Sequence, residues 1–406
     1  METPFKKVSE DYSKINWQQA LKIFDFKLQE SLRNNKNILI ICGKHMDLES
    51  SIILKSFINN FNIPIILEEG FHLDSNLIIN TKLSVTFQQI LKSDFCLLLG
   101  TNPKMEASLL NVRLRTRYLR GNFSIARFGL QEKLPYKSSG LGITTKTFLA
   151  FIEGKHSFCE YFLNSFKPVI IIGEGILNRQ DGIYIISLIK SLLNQNLQIT
   201  EDWVGLGILT TSSNFVGRSS LGILTNNSFN NLSVIDFFFC MGLDSCNFYL
   251  KQVPLKTFSI ISTAYGDSSL TKANLILPSS SFIEKSFINV NMEGRVQKGS
   301  KIFAPFALSR PDKDILKFFL FINKKSIFSS FLGSYSFYSS FLNINFNSNV
   351  FTKKILLIEN KKYLKIFKTS FKGVIFDFFK TNSITKNSKI LSKCSFIAHK
   401  QFKNFK

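Results

Sequence analysis

The chain has 406 residues, of which 45% are hydrophobic and 19% are charged, a composition that supports two or three domains with buried cores and excludes bulk disorder. Its net charge of +23 suggests a nucleic-acid partner, because clustered Lys and Arg release counterions from a phosphate backbone. However, residues 351–406 alone hold 14 Lys against two acids, Glu359 and Asp377. A solvated or protein-docked basic tail is therefore favoured, and a basic nucleic-acid-binding scaffold stays an alternative.

The cysteines and the apolar runs exclude further classes of protein. The six cysteines stand at 42, 96, 159, 240, 246 and 394, and no pair has the C-x-x-C spacing of metal or cluster ligands. The close pair, Cys240 and Cys246, follows a buried-looking strand, which favours two core thiols. No apolar run reaches ~18 residues, so no membrane span is predicted. The first residues lack a signal-peptide core and the look of a transit peptide, so we expect an organellar protein to be made in place or to be present in mature form.

Short apolar runs alternate with helical patterns in the first part of the chain. After an N-terminal lead-in and helix over residues 1–32, a first α/β lobe is predicted over residues 33–165. Its strands are predicted at 37–43, 62–70, 94–100 and 122–129, with one helix after the first strand and another from Pro103 to about Leu119. Apolar runs without alternation are typical of strands buried on both faces, so we expect a parallel sheet covered by helices.

A second α/β lobe is predicted over residues 166–325. It begins with a strand, a glycine turn and an amphipathic helix at 167–193, and its later strands are predicted at 234–242, 257–265 and 273–279. Residues 326–406 are predicted to be a connector and a basic tail, because 326–349 are rich in Phe and Ser, carry no charge and lack periodicity. The predicted fold class is therefore α/β, with two doubly wound parallel-sheet lobes and an irregular basic C-terminal tail.

Two turns could bind phosphate. The strand at 168–172 runs into Gly173 and Gly175, but a dinucleotide fingerprint needs a third glycine where the chain has Asn178, and Glu174 would place a carboxylate against the pyrophosphate. A tight structural turn is therefore favoured over a phosphate site.

The second turn, Gly100-Thr101-Asn102-Pro103, begins a helix that carries several arginines. Three of them, Arg113, Arg117 and Arg120, share one helix face, while Arg115 lies off it. This face could hold a phosphate or pair with a neighbouring domain, and the sequence leaves both interpretations open.

No recognisable catalytic apparatus is present in the sequence. The four histidines, at 45, 72, 156 and 399, have no metal-ligand spacing, and neither a G-x-S-x-G elbow nor a Walker loop occurs.

The stretch Leu277–Gln297 combines glutamates, asparagines and an arginine with apolar residues. Ile288, Val290 and Met292 alternate with polar residues, which predicts a half-buried strand, and Gly294 then permits a turn. From these residues alone, the stretch could be a ligand site or a structural frame. Its polar residues are Glu284, Asn289, Asn291, Glu293 and Arg295.

Several segments resemble segments of a known family, and they occur in the same order along the chain. Residues 273–297, ANLILPSSSFIEKSFINVNMEGRVQ, resemble the "ADVILPG…EK…YVNTEGRAQ" signature of molybdopterin-oxidoreductase-like proteins, and especially of the large iron–sulfur subunit of respiratory complex I. Further similar segments are INWQQAL (15–21), a domain-opening helix in the family; LLLGTNPKMEASLLNVRLR (97–115); PVIIIGEGILNRQDG (168–182); WVGLGILTTSSNFVG (203–217), a helix in the family; and DFFKTNSITKNSKILSKC (377–394), which is similar to the close of mitochondrial-type members.

The resemblance implies a fold of the molybdenum-enzyme type without a pterin, in a structural matrix-side subunit of complex I. It carries over no cluster ligand, so the iron–sulfur clusters are expected in a separately encoded N-terminal half and FMN elsewhere in the complex. We accordingly assign no catalytic, cofactor-binding or metal residue, and we interpret the five polar residues of 277–297 as the frame of a former active site. The expected location is the mitochondrial inner membrane, with the gene in the mitochondrion. A catalytic molybdopterin-dependent oxidoreductase subunit is the alternative.

Overall fold

The computed structural model describes residues 1–61, 63, 66–68, 86–130, 134–196, 203, 205–221, 223, 232–243, 246–266, 268–322, 366–373 and 377–404. The chain forms two compact units. The first comprises residues 1–70, 212–291 and 295–348, and the second comprises residues 71–211, 292–294 and 349–406. The predicted connector at 326–349 and one of the four histidines, His72, lie outside the described residues.

The described strands and helices alternate along most of the chain. The strands are β1 (Phe5–Val8), β2 (Asp11–Lys14), β3 (Ile38–Cys42), β4 (Ile66–Glu68), β5 (Phe95–Leu99), β6 (Ser124–Phe128), β7 (Ser139–Gly142), β8 (Pro168–Gly173), β9 (Leu206–Leu209), β10 (Phe237–Met241), β11 (Phe258–Thr263), β12 (Leu275–Pro278), β13 (Phe287–Val290) and β14 (Val296–Gly299). The α-helices are α1 (Trp17–Arg33), α2 (Leu48–Phe61), α3 (Phe87–Ile90), α4 (Pro103–Glu106), α5 (Ser108–Leu119), α6 (Thr145–Ile152), α7 (Cys159–Leu163), α8 (Glu174–Leu177), α9 (Gly182–Gln195), α10 (Phe215–Ser220), α11 (Asn247–Leu250), α12 (Asp312–Ile322), α13 (Ser383–Asn387) and α14 (Lys389–Asn404).

The first unit contains a seven-stranded sheet in the order β2-β1-β12-β11-β10-β3-β4. Its five strands from β12 to β4 are parallel, and the β1–β2 hairpin extends the edge in the antiparallel sense. The central strand β10 pairs Phe239 with Ile40 on one side and with Ile260 on the other. All five of its residues are buried, as the unbroken apolar run FFFCM predicts for a strand covered on both faces.

Helix α1 shows how the sequence builds this core. Asn16 forms a capping box with Gln19, which satisfies the first backbone N–H groups of the helix. Apolar side chains at helical spacing then face the sheet, and the ring of Phe24 stacks on Phe319 of α12 at 3.8 Å and meets Phe239 of β10 edge-on at 5.0 Å. Phenylalanines of two helices and one strand thus pack together in this core.

The second unit contains a five-stranded parallel sheet in the order β7-β6-β5-β8-β9. Its central strands, β5 and β8, are buried along their whole length. At the opposite edge from β7, the Trp203 indole N–H donates to the Pro168 carbonyl oxygen at 2.9 Å, which ties the entry of β9 to β8. The two doubly wound α/β units confirm the predicted fold class.

The composition of the units differs from the predicted boundaries at 33–165 and 166–325. Strand β3, predicted for the first lobe, pairs in register with β10, which was predicted for the second. Conversely, β5 and β8 share the other sheet. The apolar runs indicate where strands are, but hydrogen-bonded pairing between distant strands decides which sheet each strand joins.

Local structure departs from the sequence expectations in five places. The lead-in before α1 contains the β1–β2 hairpin, and the helix predicted from Pro103 breaks at Ala107, whose φ of −150° and ψ of 76° are not helical. Residues 206–209 form the edge strand β9 instead of a helix, because all four are buried against β8.

The strand predicted at 288–292 ends at Val290, where the hairpin turn begins. The described end of the tail is helical, because Asn382 caps α13 and α14 follows directly.

Candidate functional site

Doubly wound folds bind ligands at the carboxyl ends of their strands, where the strand order changes direction. In the second unit this switch point lies between β5 and β8, because β6 and β7 lie to one side and β9 to the other. It is formed by the turn at Gly100, which has a φ of +58°, and by the turn at Gly173 and Glu174.

Glu174 is a structural anchor in this turn. Its side chain is almost fully buried, and its Oε2 accepts hydrogen bonds from both the backbone N–H and the hydroxyl of Thr211, each at 2.6 Å. The carboxylate therefore fixes the chain that follows β9. The structure agrees with the interpretation of GEG as a tight structural turn and places a negative charge where a phosphate would otherwise approach.

The switch point of the second unit is covered by residues 366–373, the strap segment. A Cβ atom on Gly175 would lie 1.8 Å from the carbonyl oxygen of Lys372, so only glycine allows the two backbones to approach this closely. The ring of Phe371 is fully buried and meets Phe128 and Phe148 edge-on. The strap segment thus packs over the end of the sheet as part of the core.

Arg179 and Asp181 clamp the strap segment. The Arg179 guanidinium forms two 2.7 Å bonds with the Asp181 carboxylate and donates to the carbonyl oxygen of Thr369 at 3.0 Å. Asp181 Oδ2 also accepts the backbone N–H of Phe367 at 2.8 Å. A bidentate ion pair of this kind holds both partners in one geometry, so it fixes the strap segment through both a carbonyl oxygen and an N–H group.

A small cavity remains beside the strap segment. Its volume is about 20 Å³, and it is lined by Gly100, Thr101, Asn102, Arg127, Gly129, Leu130, Leu134 and Gly373. A volume of ~10–15 Å³ holds about one water molecule, so this cavity has room for one.

The predicted arginine face on α5 is divided between an internal contact and the protein surface. Arg117 is used internally, since its guanidinium donates to the carbonyl oxygens of Ser93 and Gly121, each at 2.6 Å. Arg113, Arg115 and Arg120 are exposed on the helix surface. The two interpretations of these exposed arginines, a phosphate site and a contact with a neighbouring domain, both stay predictions.

The switch point of the first unit, between β3 and β10, is also closed by backbone. The Gly43 N–H donates to the Met241 carbonyl oxygen at 2.8 Å, and the His45 N–H donates to the Gly242 carbonyl oxygen at 3.2 Å. A Cβ atom on Gly43 would lie 2.0 Å from that Gly242 oxygen. The two turns therefore continue the ladder of hydrogen bonds past the strand ends.

A buried ionic cluster that the sequence analysis missed lies at the same sheet edge of the first unit. The Lys285 ammonium is 2.9 Å from Asp312 Oδ2 and 3.3 Å from Asp47 Oδ1, and its side chain is only 5% exposed. Ser50 donates to Asp47 at 2.7 Å and Ser262 donates to Asp312 at 3.3 Å. No local sequence signal marks this cluster, because the two partners of Lys285 are 238 and 27 residues away.

Burial and charge act in opposite directions on Lys285. Burial alone lowers the pKa of a lysine because it disfavours the charged form, but the nearby Asp312 and Asp47 carboxylates and their hydrogen bonds favour it. The net result is a pKa of Lys285 above its usual range. This amine stays protonated at neutral pH, so it is a structural cation and cannot act as a general base there.

Three of the five predicted frame residues each accept a different backbone N–H group. Glu284 Oε2 accepts the Ser281 N–H at 2.9 Å, Asn291 Oδ1 accepts the Arg295 N–H at 2.8 Å, and Glu293 Oε1 accepts the Phe87 N–H at 2.6 Å. Asn289 faces Gln297 across the β13–β14 ladder, and Arg295 is exposed. The structure thus brings three of these side chains to backbone groups, leaves the buried Asn289 Oδ1 without a hydrogen-bond partner, and does not gather the five around one point.

The cysteines and histidines form no metal centre among the described residues. No group of three or more His, Cys, Asp or Glu side chains there is arranged to hold a metal ion. In the same part of the chain, no helix combines the length and apolar character needed to cross a membrane.

Comparison with protein families identifies the fold. The family described as molybdopterin oxidoreductase matches residues 1–320, which is most of the chain. The chain belongs to the molybdopterin oxidoreductase family. Solved structures agree at the level of the fold, since acetylene hydratase from Pelobacter acetylenicus superposes with a TM-score of 0.56 over 97% of this chain and 70% of that chain, at 11% identity. The formyltransferase/hydrolase complex from Methylorubrum extorquens gives a TM-score of 0.52 over 80% of this chain and 100% of that chain, at 9% identity.

The curated relatives of this molybdopterin oxidoreductase family member are similar along nearly all of the chain. It is 32% identical to the NADH-ubiquinone oxidoreductase 75 kDa subunit of Reclinomonas americana, over 98% of this chain and 60% of the relative. It is 29% identical to a subunit of the NADH-quinone oxidoreductase of Rickettsia bellii and 26% identical to NADH dehydrogenase [ubiquinone] iron-sulfur protein 1, mitochondrial, of Solanum tuberosum. These two alignments cover 97% and 96% of this chain. The chain spans 53–60% of the length of the three relatives.

The family name implies a molybdopterin, and the two switch points test whether the residues fit one. In the second unit the strap segment and the Glu174 carboxylate fill the space at the strand ends, and the adjoining cavity has room for about one water molecule. In the first unit the Gly43 and Gly242 turns bond to each other. These residues do not fit a pterin at either switch point.

Proposed function

We propose that the chain is a structural component of the peripheral arm of respiratory complex I, the NADH:ubiquinone oxidoreductase. The proposal rests on similarity to the 75 kDa subunit of that enzyme, which runs through 98% of the chain at 32% identity without being confined to one motif. The family match alone is equally consistent with a molybdenum enzyme, so the proposal rests on the named complex I relatives.

In this role the chain performs no chemistry of its own and supports electron transfer from NADH to quinone. The potato relative is called an iron-sulfur protein, whereas the six cysteines of this sequence lack cluster-ligand spacing. We therefore place the cluster ligands in an iron–sulfur part outside these 406 residues, and FMN in a further subunit. The chain would dock these partners and shield them from solvent.

Exposed apolar side chains support a docking role. In the first unit, Ile302, Phe303, Phe306 and Leu308 are each more than half exposed within seven residues, which we call the apolar loop. Its backbone is nevertheless fixed, since the Ile302 N–H donates to the Ile283 carbonyl oxygen at 2.9 Å and the Trp17 indole donates to the Leu308 carbonyl oxygen at 2.7 Å. Apolar groups held in place on a surface are typical of interaction sites and costly to leave in water.

The cellular location is part of the same proposal. One relative is named as mitochondrial, and complex I function would place this chain on the matrix side of the inner membrane. The bias towards Phe, Ile, Asn and Lys, residue types with A- and T-rich codons, supports a gene in the mitochondrion.

The proposal is tested by following the chain through a native gel of solubilised membranes. We expect an antibody against the chain to detect it at the position of NADH:quinone reductase activity, and we expect depletion of the chain to reduce both the assembled complex and its rotenone-sensitive activity. The proposal would be contradicted if the chain migrated apart from that activity and the complex stayed intact after depletion of the chain.

The molybdopterin-dependent alternative has one observation in its favour, the family match over residues 1–320. Metal analysis of the purified assembly distinguishes this alternative from the structural role in complex I. We expect molybdenum and tungsten far below one atom per chain, whereas stoichiometric metal would favour the alternative and contradict the lack of fit at the switch points.

A further inference from the structure

Two cysteines of the first unit lie unusually close together. The Sγ atoms of Cys240 and Cys246 are 2.7 Å apart, and both side chains are buried in the same apolar cluster, one face of the seven-stranded sheet. Carbon atoms in ordinary non-bonded contact stand about 3.5–4.0 Å apart, and sulfur is larger than carbon. Since a disulfide bond is about 2.0 Å long, these thiols are within roughly one ångström of bonding distance.

The backbone holds the two thiols in different ways. Cys240 belongs to the central strand β10 and is paired on both sides, with Ile261 of β11 and Ile41 of β3. Cys246 immediately precedes the four-residue helix α11, and its carbonyl oxygen accepts the Leu250 N–H at 3.0 Å. A short helix beside a sheet opens far more readily than a central strand, so Cys246 is the thiol that can reach a reagent.

We propose that Cys240 and Cys246 are a thiol pair that forms an intramolecular disulfide by exchange with a low-molecular-weight disulfide. The bond would tie the start of α11 to β10 and close the loop of residues 241–245 between them. This inference does not depend on the assignment to complex I, because it uses only contacts within the first unit.

The reaction balances as two exchange steps. First the Cys246 thiolate attacks one sulfur of the small disulfide, whose S–S bond breaks and releases one small thiol. The Cys240 thiolate then attacks the Cys246 sulfur of the mixed disulfide and releases the second small thiol. The two cysteines lose two electrons and two protons in total, and the small disulfide is reduced to two thiols.

Proximity predicts that the second step is faster than the first. The first step waits for α11 to open, whereas the second joins two sulfurs that the folded chain already holds side by side. We therefore expect the mixed disulfide not to accumulate, and the two cysteines to be lost to alkylation together.

The position of the methionines allows a direct test. Cyanogen bromide cleaves after Met241, between the two cysteines, and so separates fragment 106–241 from fragment 242–292. The full chain is equilibrated with oxidised glutathione, blocked with N-ethylmaleimide and cleaved without reductant. We expect the two fragments to stay joined and to separate after dithiothreitol.

Peptide mapping and matched variants identify the bond. Trypsin leaves both cysteines in peptide 219–251, which should lose two hydrogen atoms and both alkyl groups on oxidation. Cys246→Ser should abolish the joined fragments, whereas Cys42→Ser, which removes an equally buried thiol of β3, should leave them unchanged. Full alkylation of both cysteines in the oxidised wild-type chain would overturn the proposal, and that measurement needs no variant to fold.

Discussion

The buried charges at the sheet edge of the first unit depend on one another. Lys285 is enclosed with two carboxylates, which themselves accept hydrogen bonds from Ser50 and Ser262. A complete buried network of this kind contributes little net stability compared with an apolar replacement of the whole cluster, but removing one partner leaves the others buried and uncompensated.

Replacing Lys285 alone should therefore be strongly destabilising. We expect Lys285→Met to lower the free energy of unfolding by about 3–5 kcal/mol, measured by urea denaturation. The control is Lys298→Met, an exposed lysine of β14, which should change stability by less than about 0.5 kcal/mol. Equal effects of the two substitutions would mean that the cluster is not formed.

The pH dependence of the stability that Lys285 contributes follows from the direction of its pKa shift. The pKa of Lys285 is raised in the folded chain, so its stabilising contribution is complete below the unfolded value of ~10.4 and is lost only as the pH rises towards the folded value. We expect the stability difference between the wild-type chain and Lys285→Met to be constant from about pH 6 to pH 9 and to shrink above about pH 10.5. A difference that declines between about pH 6 and pH 9 would contradict this assignment.

Glu293 and Arg295 should behave differently although they are close in the sequence. Glu293 accepts the Phe87 N–H at the start of α3, whereas the Arg295 side chain is exposed. We expect Glu293→Ala to lower the free energy of unfolding by about 1.5 kcal/mol, as for a lost bond to a charged acceptor. Arg295→Ala should change it by less than about 0.5 kcal/mol, and a larger loss for Arg295 would show that its charge has a structural role.

Among the secondary-structure elements, the strap segment decides what the second sheet can bind. It is held by the Arg179–Asp181 pair, by the buried Phe371 ring and by the Phe371 N–H, which donates to the Ile143 carbonyl oxygen at 2.9 Å. The close approach of Lys372 is possible because Gly175 has no side chain.

A methyl group at Gly175 should displace the strap segment. We expect Gly175→Ala to lower the free energy of unfolding by about 1–3 kcal/mol, the usual effect of overpacking, and to raise amide hydrogen exchange at Phe367 and Phe371. Gly266→Ala is the control, because a Cβ atom there meets only the Leu270 side chain at 3.6 Å. Unchanged exchange in Gly175→Ala would mean that the strap segment does not contact this turn.

Secondary structure is also what the sequence predicted best. The strands β3, β5, β6, β8, β10, β11 and β12 fall inside their predicted runs, because the runs are mostly apolar and both faces of each sheet are covered. Strand β9 was missed because the resemblance implied a helix over residues 203–217 and its apolar run, LGIL, has only four residues. No sequence signal predicts the helix break at Ala107 either, since alanine is the strongest helix former.

Across the whole molecule, basic and apolar surfaces remain exposed after both cores are filled. The apolar loop lies in the first unit, and exposed arginines and Leu109 lie on α5 of the second. Mixed apolar and cationic surfaces suit protein partners better than a polyanion alone, which would need no apolar contact.

Polar substitution in the apolar loop should weaken assembly without affecting folding. We expect the double substitution Phe303→Ser and Phe306→Ser to reduce the fraction of the chain that co-migrates with NADH:quinone reductase activity by about tenfold or more, the loss of about 1.4 kcal/mol of binding. The melting temperature of the isolated chain should stay within about 2 °C, because both rings are already exposed.

Leu255→Ser is the matched control for the loop, because Leu255 is an almost fully exposed residue of the same unit outside the apolar loop. It should leave co-migration unchanged. Equal co-migration of the double variant and the wild-type chain would remove the apolar loop from the docking surface.

The amino-acid sequence was enough to predict two doubly wound α/β units, the positions of most buried strands and the family that the chain resembles. These properties depend on local apolar runs and short motifs, which are readable residue by residue. The folded structure was needed to show how strands distant in sequence share a sheet, that Lys285 lies between Asp47 and Asp312, that the strap segment closes a switch point, and that Cys240 meets Cys246. Each of these depends on contacts made after the chain has folded back on itself, and no local pattern encodes them.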